Sequence, residues 1–265
     1  MNLKIASYNI MSGRTYTTPP VRNYDFCAEV INNISPDIIG LNEVGKHATA
    51  GFPAVDMKEE VTEYLGKKTE MYHYFAKAIE FGGHGYGNGI LSKYPIKSAK
   101  TVTIPDPEEK KEEYKVYYET RSVLVAEIDV CGGITVLVTH IGLVPEEKQN
   151  AIKTILSLLE NIKTPVLLMG DFNMTADDER MKAFFDTLHD TAYGKDTPHT
   201  WPSDLQKYVG DYEAKIKNIK ETDVSRKIDY IFTSSHFKTN EIEVYQSTAS
   251  DHMPYIAYLE LGGTV

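Results

Sequence analysis

Pro165-Val166-Leu167-Leu168-Met169-Gly170-Asp171-Phe172-Asn173 is an apolar run that ends in two polar side chains two residues apart. Residues 166–169 read as a buried strand, and Gly170 lets the backbone turn. In an extended chain Asp171 and Asn173 then point to the same side. Taken alone, the pattern also fits a strand followed by an Asx-type turn. Other runs in the chain end in the same way, which gives the pattern its meaning. Leu3–Ile10 carries Asn9 near its end, Asp37–Val44 carries Glu43, and Ile134–His140 closes on His140.

Helical periodicity separates several of these strands. Phe26, Cys27, Val30, Ile31 and Ile34 predict a helix over 22–34, and short helices are expected near 58–67 and 177–188. Pro145, with Glu146 and Glu147 behind it, starts a helix whose buried stripe is Ile152, Ile155, Leu159 and Ile162. Further strands are expected near 71–79, at 90–92, over 228–232 and 236–246, and near 254–260. Ser122–Val130 and Ile134–His140 flank Cys131-Gly132-Gly133 and read as a hairpin. Phe81–Gly89 is glycine-rich but lacks the Gly-Lys-Ser/Thr ending of a P-loop, so it reads as a loop leading into a strand. Residues 106–113 read as a solvated connection, 45–57 as a loop over a site, and 203–224 as an insertion or flap. Strands with helices between them fit an α/β chain of two packed sheets with helices outside.

The 265 residues allow two domains, but a single large sandwich reaches this size, and no linker or repeat divides the chain. One domain over 1–265 is therefore expected. The 42% hydrophobic and 25% charged content is that of an ordinary globular protein. A net charge of -10 argues against gripping nucleic acid mainly through its phosphates. Two cysteines, Cys27 and Cys131, are too few for a disulfide scaffold and read as free thiols. No stretch approaches the roughly 20 apolar residues of a membrane span. Met1 runs almost directly into a strand, so a cytoplasmic protein is expected, and a monomer.

Asn9, Glu43, His140, Asp171 and Asn173 fall at strand ends, and Asp251-His252 falls in a loop before a strand. Ionisable groups beside buried strands cost several kcal/mol unless paired or metal-bound. A glutamate, an asparagine and aspartates supply hard oxygen ligands without thiolate, which suits Mg²⁺ or Mn²⁺. The histidines remain as proton-transfer or charge-stabilising groups.

Ser7-Tyr8-Asn9, Leu41-Asn42-Glu43-Val44, Thr139-His140, Gly170-Asp171-Phe172-Asn173, Ile228-Asp229-Tyr230-Ile231 and Ser250-Asp251-His252 resemble, in order, the motifs of the endonuclease/exonuclease/phosphatase superfamily, the family of DNase I. The resemblance spans nearly the whole chain. It implies a four-layered α/β/β/α sandwich and metal-dependent phosphoester hydrolysis at one edge of the sheets. Position by position, it implies Glu43 as main metal ligand, with Asn9 beside it and Asp251 at the same or a second metal. Asp171 would orient or deprotonate the attacking water, and Asn173 would hold a phosphate oxygen. His252 would stabilise the transition state or transfer a proton, with Asp229 fixing its tautomer. His140 would be a second phosphate-facing donor. Arg121 resembles a family arginine near the phosphate. Asn88 and Thr200 match recurrent positions, with Asn88 placed among substrate-binding residues and Thr200 without a role.

His140 in place of a tyrosine separates the chain from the AP-endonuclease branch. Thr200-Trp201-Pro202-Ser203 and the plain Gly-Asp-Phe-Asn separate it from the inositol polyphosphate 5-phosphatases. The expectation is an Mg²⁺- or Mn²⁺-dependent phosphodiesterase or phosphatase acting on a small or lipid-like phosphoester, with weak binding to duplex DNA. A nuclease or nucleic-acid end-processing enzyme is the alternative, and a catalytically inactive binding module the third.

Overall fold

Two parallel strand pairs, one in each sheet, set the architecture. The computed structural model describes residues 1–49, 51–109, 111–114, 118–207 and 224–262. In the first pair, β1 (Asn2–Asn9) leads through α1 (Tyr24–Ile34) to β2 (Ile38–Gly45). In the second, β7 (Ile134–His140) leads through α3 (Pro145–Glu160) to β8 (Val166–Asp171). Parallel neighbours need a long crossover, and a helix supplies it. Both carboxyl ends of each pair therefore lie at the same rim. The register sets Asn9 opposite Asn42 and His140 opposite Asp171.

Antiparallel strands complete the sheets. They are β3 (Tyr72–Phe81), β4 (His84–Ser92), β5 (Ile96–Thr103), β6 (Ser122–Ile128), β9 (His189–Asp190), β10 (Asp229–Thr233), β11 (Phe237–Val244) and β12 (Tyr255–Leu261). Among the described residues one sheet runs β11-β12-β1-β2-β4-β3 and the other β5-β6-β7-β8-β10-β9. In β10, Asp229 pairs with Asp171 and so reaches the same rim.

The central strands are apolar on both faces because both faces are covered. Ile5, Ile38, Val136, Val138, Met169 and Ile231 fill the space between the sheets. An ideal Cβ on Gly40 would lie 2.8 Å from the Met169 side chain, so glycine lets the sheets approach there. On one outer face Tyr8 and Leu41 pack with α1 and with α2 (Val61–Thr69). On the other, Leu137, Leu168 and Phe172 pack with α3 and with α4 (Lys182–Phe185). The order of layers is helix, sheet, sheet, helix, as the sequence resemblance implies.

Local signals explain the helix ends. Asn23 caps α1 by accepting from the Phe26 N–H at 3.0 Å. Pro145 opens α3, and the Glu147 carboxylate accepts from the N–H groups of Leu143 and Val144 at 2.9 and 3.2 Å. Among the described residues, no helix is long and apolar enough to cross a membrane. Cys27 is buried, Cys131 is exposed, and both are free thiols.

Three elements differ from the sequence expectation. The helix expected over 177–188 is a 3-10 turn (Glu179–Met181) followed by the four-residue α4. Met181, Phe184 and Leu188 face the core at helix-like spacing, but the chain turns to enter β9 at His189. The glycine-rich stretch is mostly strand, since only Gly82 and Gly83 form the β3–β4 turn, with φ of 56° and 81°. Gly87 lies within β4, where an added Cβ would fall 2.1 Å from the Ala76 carbonyl. β5 was not expected as a strand; its lysines weaken the alternation that would mark it. The expected flap at 203–224 falls mostly outside the described residues.

Candidate active site

Gly170 delivers Asp171 to the rim. Its φ is 142°, and an added Cβ would fall 1.8 Å from the Thr139 carbonyl oxygen, so no other residue fits. Glu43, at φ 53°, adopts a left-handed backbone conformation that is unusual for its type, while Asn173, at φ 50°, is of a type that enters this region readily. At Glu43 the β2–β4 register shifts between Leu41 and Val44, which turns the carboxylate out of the strand alternation. Strain of this kind gathers at functional sites.

Asp171 is the hub. Its Oδ2 accepts from Asn9 Nδ2 at 3.1 Å. The same oxygen lies 3.5 Å from His140 Nε2 and 3.6 Å from His252 Nε2. Its Oδ1 accepts from the Asn173 N–H at 2.9 Å. Burial raises the Asp171 pKa to about 7, against the lowering charge of His252. A carboxylate poised there can exchange a proton at neutral pH.

The two histidines are driven in opposite directions. His252 is buried, which by itself would favour the neutral ring. The Asp229 and Asp171 carboxylates outweigh that and raise its pKa well above the ordinary value. Asp229 Oδ2 accepts from His252 Nδ1 at 2.9 Å and so fixes which end of the ring faces Asp171. His140 is held well below its ordinary value by burial, then by the charges of Arg121 and His252. Arg121 Nη1 lies 2.7 Å from His140 Nδ1. A guanidinium can only donate, so Nδ1 accepts and the proton of the neutral ring sits on Nε2, the side facing Asp171. Neighbouring groups with opposed shifts mark acid and base partners.

Glu43 and Asp251 form the acidic end of the rim. Burial raises the Glu43 pKa, and the Asp251 charge raises it further. Burial and the Asp251 charge both disfavour ionisation of Glu43, and this half-buried pair of carboxylates, with oxygen donors only, is a set that a hard divalent cation would relieve. Asp171, Asp229 and His252 also offer ligand atoms within 4.8 Å of one another. Those atoms are already engaged with each other around an imidazolium, so Glu43 and Asp251 fit a cation better.

Other expected residues find specific places. Asn9 was expected beside Glu43 as a cation ligand. Its Nδ2 donates to Glu43 Oε1 and Asp171 Oδ2, and its Oδ1 accepts from the Met11 N–H at 3.0 Å. The amide thus ties the two carboxylates together. Asn173 Nδ2 donates to the Ile141 carbonyl at 2.9 Å and lies 3.1 Å from His140 Nε2. Arg121 pairs with Glu119 at 2.8 Å and is largely buried. Asn88 was expected to touch substrate, but both ends of its amide are used internally. Its Nδ2 donates to the Ser122 carbonyl and its Oδ1 accepts from Asn42, each at 2.8 Å.

Two residues that the sequence left without a role support the rim. Asn42 Nδ2 also donates to the Thr139 carbonyl at 2.9 Å, and Oδ1 accepts from the Asp171 N–H at 2.9 Å. It bridges the sheets directly beneath the rim. A polar residue beside Glu43 in an otherwise apolar strand was its one signal. Thr200 is fully buried, and its Oγ1 accepts from the N–H groups of Ile228 and Asp229 at 3.2 Å. It anchors the backbone that carries Asp229. Beside it, Trp201 Nε1 donates to Asp251 Oδ2 at 3.3 Å.

Comparison with known proteins bears on the fold and the family. The family model described as "Endonuclease/Exonuclease/phosphatase family" matches residues 6–252. No curated protein matches. Among solved structures, an endonuclease/exonuclease/phosphatase from Beutenbergia cavernae is 21% identical with a TM-score of 0.74, over 98% of this chain and 72% of that one. A family protein from Leptotrichia buccalis is 20% identical with a TM-score of 0.74, over 98% and 100%. The mannosyl-6-phosphatase Bt3783 of Bacteroides thetaiotaomicron is 16% identical with a TM-score of 0.68, again over 98% and 100%. The order of rim residues, the two-sheet topology and a match from Ala6 to His252 lead to one assignment: the chain belongs to the endonuclease/exonuclease/phosphatase family.

Proposed function

We propose that the protein is a hydrolase of phosphoester bonds that depends on Mg²⁺ or Mn²⁺, acting on a small or lipid-like phosphodiester or phosphomonoester. The observation that carries this reading is the pair of oppositely shifted histidines on either side of Asp171. A phosphoryl transfer needs a group to take the proton of the attacking water and cationic donors for the phosphate oxygens. Asp171, poised near neutrality, takes the first role. The His252 imidazolium, held by Asp229, stabilises the charge that builds on phosphorus-bound oxygen or protonates the leaving group. His140 offers its Nε2–H and Arg121 keeps that tautomer. Glu43 and Asp251 would hold the cation, which supplies Lewis-acid polarisation of the phosphate when bound. Asn9 keeps Glu43 and Asp171 at a fixed separation.

Hydrolysis of a bis-aryl phosphodiester by chelated and metal-supplemented protein tests this. Activity restored by Mg²⁺ or Mn²⁺ and lost in Glu43→Ala is the expected result. Full turnover by extensively chelated protein would overturn it. A panel of nucleic acids, phospholipids and sugar or inositol phosphates then sorts substrates. The neighbour named as a mannosyl-6-phosphatase supports including sugar phosphates. The net charge of -10 supports weak duplex binding. The richest run of lysines, from Lys207 to Lys227, lies mostly outside the described residues.

A further inference from the structure

Past Glu43 the rim turns cationic. Arg14 and Arg22 face each other across an antiparallel bridge, and both guanidinium groups lie over the Phe52 ring, 5.5 and 5.8 Å from its centroid. Like charges set directly opposite each other destabilise a strand pair. Among the described residues neither arginine makes an ion pair with a carboxylate, in a chain whose net charge is -10. Phe52 attracts both cations but gives their N–H groups no acceptor. Arg22 is held in place, with Nη1 donating to the Pro53 carbonyl at 2.7 Å and Nη2 to Thr49 Oγ1 at 3.4 Å. Arg14 makes no side-chain hydrogen bond and is half-buried, so its planar fork of donors is open to a ligand.

His47 joins this patch to the Asp171 rim. It follows Glu43 by four residues, and its ring lies 5.0 Å from that of Tyr86, on which the charges of Glu43 and Arg121 act. Burial lowers the His47 pKa, and the charged groups that lower it further, Arg22, His84 and Arg14, are all basic. Its Nδ1 is shut off from solvent with no acceptor beside it, so the proton of the neutral ring belongs on Nε2. From the other side, Ser12 Oγ donates to the Glu43 carbonyl at 3.2 Å, two residues before Arg14, and the Tyr24 hydroxyl donates to the Gly45 carbonyl at 2.7 Å, two residues after Arg22. The bridge that carries both arginines is thus tied to the backbone that carries Glu43.

We propose that Arg14, Arg22 and His47 bind a second phosphate group of the substrate, so that the protein acts on a small phosphoester carrying another phosphate besides the one hydrolysed; this rests on the phosphoester reading of the Asp171 rim. Two guanidinium groups match the double charge of a phosphate, and the open fork of Arg14 suits its oxygens. The patch is confined to a few residues of an acidic chain, which favours one added phosphate over the many of a nucleic-acid strand. Bound there, the second phosphate would also relieve the repulsion between the paired arginines.

Titration calorimetry on the full chain in Mg²⁺ buffer tests the proposal, with butylphosphonate and the ethane-, butane- and hexane-linked bisphosphonates as probes. At least one bisphosphonate should bind at least about tenfold more tightly than butylphosphonate, as a second charge-assisted contact on the same molecule requires. Arg14→Gln should bring that difference to within about threefold. Arg14→Lys, which keeps the charge but loses the fork, should reduce it at least about threefold. Thermal melting confirms that each variant is folded, and Arg14→Lys decides if Arg14→Gln does not fold. Equal affinity for one and two phosphonates, a difference that survives in folded Arg14→Gln or Arg14→Lys, or no binding of any bisphosphonate would each overturn the proposal. So would a short single-stranded oligonucleotide that binds more tightly than every bisphosphonate. Lack of turnover on every phosphoester leaves this comparison readable, whereas turnover without any gain from the second phosphonate would overturn this proposal alone.

Discussion

Asp229→Asn isolates the step in which a buried carboxylate keeps His252 charged and oriented. In the folded protein Asp229 Oδ2 accepts from His252 Nδ1 at 2.9 Å, and both side chains are buried. The amide has nearly the same shape and stays anchored by the Thr200 hydroxyl through the backbone N–H. What is lost is one full charge beside the imidazole. Two unit charges about 4 Å apart at an effective dielectric of about 20 interact by about 4 kcal/mol. If that interaction is withdrawn from the transition state, the rate falls about 10³-fold. This sits inside the roughly 10²–10⁴-fold range for losing the partner of an oriented histidine. The pH profile should move as well. The His252 pKa is raised in the folded state, so the imidazolium contributes stability and acid function that are complete below about pH 6.5. Both are lost as pH rises through the raised folded value. Without Asp229 that loss begins at lower pH, and the alkaline limb of kcat shifts down. The assay is kcat on a bis-aryl phosphodiester across pH, with KM and the melting temperature measured on the same preparations. A variant that keeps its rate within threefold, or loses rate with no shift of the alkaline limb, would refute the assigned role.

Asp171→Asn should abolish turnover and yet raise the melting temperature by a few degrees at pH 8. The Asp171 pKa is held at about 7, above the roughly 3.9 of an unfolded chain. The folded state therefore binds the proton more tightly, and stability from this group falls as pH rises from about 4 through 7. A lower melting temperature for the variant at pH 8 would contradict the sign. Thr200→Val should lower kcat about tenfold with little change in KM, because the Asp229 backbone loses its anchor; an altered KM at constant kcat would point to substrate contact instead. Exchange of residues 45–57 or of the β3–β4 turn should change substrate preference more than the rate on a small generic ester, read as kcat/KM over a substrate panel. Binding to duplex DNA should be detectable only at low salt, and submicromolar affinity at physiological ionic strength would promote the nuclease reading.

Much of the rim was legible because buried strands leave so few places for polar groups. Asn9, Glu43, His140 and Asp171 each end an apolar run, and the cost of burying an unpaired polar group makes such endings informative. Phe81–Gly89 misled because glycine marks both turns and places where backbones crowd. Gly87 has no side chain because the Ala76 carbonyl occupies that space, and this contact comes from a neighbouring strand. The segment 177–188 misled because Met181, Phe184 and Leu188 keep a helical interval while the chain bends into β9.

Strands separated by helices, strand runs that end in polar residues and the family those motifs resemble were all legible in the chain before it folds. These are local properties: hydrophobic period, turn residues and helix starts act over a few neighbours. What each polar group does depends on the folded arrangement. Asn9 ties two carboxylates together, Asn88 and Asn42 join the sheets, and Thr200 carries Asp229, through hydrogen bonds between residues up to 162 positions apart. The opposed shifts of His140 and His252 arise the same way. Two histidines with the same intrinsic pKa diverge because one packs beside a guanidinium and the other between two carboxylates, and charge acts through space rather than along the chain.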